Sequence, residues 1–117
     1  MNSNRQNHAL VILIIGTVIL GVGLFQADFS VGNAVSNLWT YIRYNGSYPV
    51  GAYFAIVKLV LVGIMAGHYS AMFLHVMQIM RQTSYVSGRQ LANGPLFHLG
   101  VEIWFLVAIF AVDLGML

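Results

Sequence analysis

The chain has 117 residues, of which 59% are hydrophobic and only 7% charged, with a mean hydropathy of +0.80 and no cysteine. Soluble domains carry about a quarter charged residues, so five Lys and Arg with three Asp and Glu are too few to cover a water-facing globule. The same composition excludes a disordered chain, a nucleic-acid-binding module and a disulfide-stapled scaffold.

A helix crossing about 30 Å of hydrocarbon needs roughly 20 mostly apolar residues. Three stretches qualify, over residues 9–26, 52–80 and 96–117, and they fill more than half of the chain. The predicted fold is therefore all-α: one membrane domain, an integral membrane three-helix bundle. The first stretch carries no charge and is thinned by Gly16, Gly21 and Gly23. Its rival reading is a secretory signal. Only Arg5 precedes it, and Phe25 stands where a cleavage site needs a small residue, so a retained span is expected.

In the first loop, Val31, Ala34, Val35, Leu38 and Ile42 recur at helical spacing behind Ser30, a capping residue. Trp39, Tyr41, Tyr44, Tyr48 and Tyr53 crowd its second half, and rings with a polar tip settle at the membrane–water boundary. The pattern predicts a short interfacial helix over residues 30–44, ended by the turn Asn45-Gly46-Ser47. The second span contains Lys58, His68, His75 and Gln78. The loop after it, 82–95, holds Ser87-Gly88 and Asn93-Gly94-Pro95, expected to stop one helix and start the next. The third span carries His98, Glu102 and Asp113. Three crossings put Arg5, Arg81 and Arg89 on one side, against Arg43 on the other. The excess of positive loops predicts the N-terminus inside and the C-terminus outside.

Ionisable residues inside a span are costly and usually face a partner or a cavity. His68 and His75 share a helix face about 10 Å apart. That is too far for one helix to chelate a single ion with both, and no metal-ion site is expected. The spacing does suit a haem packed along the face and held by one histidine, its other axial ligand coming from elsewhere. Gly63 and Gly67, just before His68, let a ring or a helix approach the backbone closely. His98 is placed at the inner start of the third span with Glu102 one turn deeper. Glu102 is expected to pair with His98, His75 or the Lys58 of a neighbour, and Asp113 to be solvated at the outer boundary. The methionines are read as packing surface. No phosphate-cradling glycine loop or metalloprotease motif is present, so catalysis by this chain alone is not expected.

This layout resembles the membrane-anchor subunits of succinate dehydrogenase and fumarate reductase. Lys58, then His68 or His75, then Ser84-Tyr85-Val86 are similar in order to that family's second span and its inner end. The turn Gly23-Leu24-Phe25-Gln26-Ala27-Asp28 is similar to the corresponding turn of the fumarate reductase anchor. The resemblance implies His68 or His75 as an axial ligand of haem b. It also implies Arg81, Ser84 and Tyr85 as a quinone site at the inner mouth, with other membrane subunits of a complex as partners. The haem-type anchors have Asp directly before the tyrosine where this chain has Ser84. Two alternatives stand beside it: a non-catalytic accessory subunit of another membrane oxidase or monooxygenase, and a pilin-like subunit of a conjugative or type IV secretion filament.

Overall fold

The computed structural model describes residues 3–27, 35–36, 39–40, 42–43 and 50–114. Helix α1 spans Ser3–Gln26, α2 spans Val50–Arg81, and a single turn, α3, covers Gly88–Leu91. A π-helical turn, Ala92–Leu96, joins α3 to α4, Phe97–Asp113. No strand occurs among the described residues. The interfacial helix expected over 30–44 falls largely outside them; residues 35–36, 39–40 and 42–43 are helical.

Three helical stretches, Asn4–Gln26, Ile56–Arg81 and Gly88–Asp113, are long and apolar enough to cross a membrane. Their outward faces have the same character: Phe25, Leu74 and Trp104 are 86%, 68% and 72% exposed. Such surface is tolerated where the solvent is hydrocarbon and not water. The protein is an all-α three-helix bundle of the multi-pass membrane type.

With no hydrophobic force between helices in lipid, association rests on close packing of small residues and on internal hydrogen bonds. Two glycines of α1 supply the first. A methyl group on Gly16 would overlap the Met72 side chain, and one on Gly23 would lie 2.9 Å from the Met65 terminal carbon. Met65 and Met72 are fully buried. Both pairs are spaced by seven residues and run in opposite directions, which fixes the antiparallel register of α1 on α2. One apolar cluster surrounds Met72, with Ala9, Leu13, Val76, Ile79, Val86 and Leu99. A second joins Met65 to Val62 and Ile109.

The third span starts at Gly88, eight residues before the expected 96. Asn93-Gly94-Pro95 does not separate two helices. A proline inside an α-helix lacks its N–H and its ring collides with the carbonyl four residues back. The wider π-turn removes that collision, so Pro95 is carried, buried, within a continuous helical run. The true break is residues 82–87. There Ser87 Oγ accepts the Gln90 N–H at 3.1 Å, the capping bond that opens a helix. Gln82 and Gln90 exchange amide bonds of 2.5 and 3.2 Å. From α1, Gln6 donates to the carbonyls of Ile79 and Gln82, both at 3.1 Å. Arg5 donates to the Tyr85 hydroxyl and, at 2.6 Å, to the Val86 carbonyl. The loop is thus tied to the start of α1.

Replacing Gly16 by Val should lower the stability of the detergent-solubilised bundle by about 1–3 kcal/mol, the usual cost of overpacking. Gly63→Ala, where an added methyl meets open space, should leave it unchanged. Thermal unfolding of the two variants side by side checks which glycine face packs on a helix.

Candidate functional site

Histidines from two helices meet in the half of the bundle nearer Arg5, Arg81 and Arg89, hereafter the arginine end. At 1.5 Å per residue, His75 lies about 9 Å and His68 about 20 Å from Arg81 along α2. Because the third span begins at Gly88, His98 lies about 15 Å into it, between the two. It is not at the start of the span, where the expected boundary placed it. His68 Nδ1 and His98 Nδ1 are 2.8 Å apart, within hydrogen-bonding distance, so one ring donates and the other accepts. Their centroids are 5.1 Å apart at 43°. On its other side His98 stacks with His75, centroids 5.4 Å apart at 26°. His98 therefore bridges the two histidines that the sequence singled out, which sit too far apart to meet directly. His8 is exposed on α1.

The π-turn makes this possible. Gly94 lies against the His75 ring, where a methyl group would come within 3.2 Å of Cγ and Nδ1. A larger residue would force His75 away from His98. Beyond the pair, Ile64, Gly67, His68, Ala71 and His98 line an open groove of about 350 Å³. Gly63 and Gly67 border open space. Among the described residues, no group of three or more His, Asp or Glu has the geometry to hold a metal ion.

Glu102, one turn beyond His98, is fully buried. Neither of its oxygens has a hydrogen-bond partner. A methyl group on Gly16 would come within 2.9 Å of Oε2, so the carboxyl lies against the backbone of α1. Within the chain the expected pairing with His98 or His75 is not formed. Lys58 instead donates to Asp113 Oδ1 at 2.7 Å, and Gln26 donates to Asp113 Oδ2. Asp113 is therefore not simply solvated: three helices converge on it at the end opposite the arginines. Opposite charges near the same end of two spans were the available signal, but no spacing rule links residues 58 and 113.

The quinone-site candidates divide between two surroundings. Arg81 and Ser84 line an open amphipathic groove of about 630 Å³ together with Phe73, Leu74, Met77, Gln78, Gln82 and Gln90. Tyr85 does not line that groove. Arg5 bonds its hydroxyl and lies over its ring, 4.9 Å from the centroid. A second crevice of about 440 Å³ leads to His75, lined by Gln78, Ile79, Ser87, Arg89, Gln90, Asn93 and Gly94. Gln78 and Gln90 are shared, so the two openings are neighbours.

No protein family, curated protein or solved structure matches the chain. The chemistry of the site is therefore read from its geometry. Lys58→Met should destabilise the bundle by about 1.5–3 kcal/mol, the worth of a hydrogen bond to a charged group. Adding Asp113→Asn should recover part of that loss, because the amide keeps the Gln26 contact without an unpaired charge. Unfolding of the single and double variants in detergent measures both.

Proposed function

We propose that this membrane protein is a redox-anchor subunit of a multi-subunit complex of the succinate dehydrogenase and fumarate reductase type. In this reading it holds haem b through His68 and receives a quinone headgroup in the groove lined by Arg81 and Ser84. The observation that carries the proposal is the His68–His98 pair at the mouth of a glycine-bordered groove.

The residues fit a haem ligand. Metal-bound histidines nearly always engage their second ring nitrogen in a hydrogen bond, which fixes the tautomer and the ring plane. His68 has that bond at Nδ1, leaving Nε2 for iron. Gly63 and Gly67 leave room for a flat macrocycle against the helix backbone. Were a haem bound, His68 would hold it and His98, bonded to His68, would steady the ring, while His75 stays packed on Gly94. A bound haem b supplies a one-electron carrier near the middle of the bilayer.

The second groove has the amphipathic character a quinone needs. The guanidinium of Arg81 and the amide of Gln78 offer donors to ring carbonyls. Phe73, Leu74 and Met77 offer apolar walls to the ring and tail. Tyr85 acts here as the partner of Arg5, holding the loop that forms the groove's edge. By the distribution of Arg5, Arg81 and Arg89 the groove opens on the inner side, where a soluble electron-donating partner docks.

The test is a spectrum of the native complex, purified through a tag on this chain, before and after dithionite. The expected result is a b-type band on reduction that is lost in His68→Phe and kept in His75→Phe. A complex without such a band, or one that keeps it in His68→Phe, overturns the haem assignment. It then favours an accessory subunit that contributes helix surface alone.

A further inference from the structure

The arginine end of the bundle carries cations and no acid to answer them. The chain has only three acidic residues, Asp28, Glu102 and Asp113. Glu102 is buried deep in the bundle. Asp113 is paired with Lys58 at the opposite end, and Asp28 follows in sequence the end of α1 that meets Asp113. Of the three arginines, Arg5 is engaged by Tyr85 and the Val86 carbonyl. Arg81 and Arg89 are exposed and form no ion pair or hydrogen bond among the described residues. Their counter-anion has to come from outside the chain.

Arg89 stands in the more closely built surroundings. It lines the crevice of about 440 Å³ together with Ser87 and Asn93. Ser87 Oγ accepts the Gln90 N–H, which leaves its own O–H for a further acceptor. Asn93 is exposed and has no hydrogen-bond partner among the described residues. At 1.5 Å per residue it lies about 6 Å deeper in the span than Arg89, where a bare amide is costly. Beyond it the helix turns apolar. Leu96, Phe97 and Trp104 are exposed, and Gly100 borders open space between the two rings.

We propose that this crevice is a binding site for an anionic phospholipid whose headgroup is a phosphodiester of a polyol. The Arg89 guanidinium matches two phosphate oxygens at once, and the Ser87 hydroxyl donates to a third. The Asn93 amide both donates and accepts, as a polyol hydroxyl or a glycerol ester requires. An ammonium headgroup finds no carboxylate here. Arg89 lies one residue after the start of the span at Gly88, the level of lipid phosphates, and an acyl chain descends from there over Leu96, Phe97 and Gly100. Basic pockets between spans are recurrent sites for anionic headgroups. The crevice is separate from the groove at Arg81, with which it shares only Gln78 and Gln90, so the proposal stands apart from the haem and quinone reading.

The experiment is native mass spectrometry of the full chain in detergent. Phosphatidylglycerol and phosphatidylcholine with identical acyl chains are offered in equal amounts. One phosphatidylglycerol should be retained with a preference of at least about fivefold, the worth of one arginine near an anionic surface. Arg89→Gln should bring the preference to parity, whereas Arg81→Gln should keep it. Asn93→Leu, which alters no charge, should lower it about threefold, the effect of one lost hydrogen bond. Soluble glycerol phosphate should not displace the lipid. A wild-type chain without preference overturns the proposal. So does an equal loss in Arg81→Gln and Arg89→Gln, which marks diffuse charge attraction, and so does an undiminished preference in Asn93→Leu. Displacement by glycerol phosphate overturns the lipid assignment in favour of a soluble phosphate ligand.

Discussion

The insertion of Met65 and Met72 against Gly23 and Gly16 is the contact on which the other features depend. It brings the axes of α1 and α2 as close as a glycine backbone permits, and it sets their antiparallel register over the length of the span. From that register follows the placing of Gln26 beside Asp113 at one end and of Arg5 and Gln6 beside the 79–86 segment at the other. Glu102 is buried by the same approach, because the face of α1 that receives Met72 also covers the carboxyl. Methionine suits such a contact, since its unbranched, polarisable side chain adapts to the shape of the glycine surface.

In lipid a polar group cannot borrow a partner from solvent, and the described helices obey that constraint economically. Thr17 and Ser70 return their hydroxyls to the carbonyl four residues back. Lys58, Asp113 and Gln26 satisfy one another across three helices. His68 and His98 share a hydrogen bond, and Gln82 and Gln90 pair their amides. Against this background the bare carboxyl of Glu102 is an exception and not part of a general looseness. It lies one helical turn after His98 on the third span.

The π-turn connects the local sequence to the functional geometry. By absorbing Pro95 without ending the helix, it extends the third span towards the arginine end and raises His98 to the depth of His68 and His75. By placing Gly94 on the His75 ring, it lets α2 and the third span approach there. Widened helical turns recur at functional sites, and here the turn both aligns the histidines and opens the polar crevice beside them.

Fold class and number of spans were legible from the residues alone, because apolar content and length act through the bilayer's thickness and need no knowledge of partners across the bundle. His68, His75, His98 and Glu102 also stood out, since any ionisable residue in hydrocarbon is conspicuous. The boundary of the third span was not legible, because Asn-Gly-Pro reads as a break until a π-turn accommodates it. Nor were the pairings, because 58 with 113 and 68 with 98 are contacts between helices whose rotation and register only packing sets. It took the packed bundle to show that His98 joins the other histidines, that Lys58 turns to Asp113, and that Glu102 is left without a partner. A one-dimensional pattern fixes which residues enter the membrane, whereas the meeting of side chains depends on how closely the backbones approach, and here glycine sets that distance.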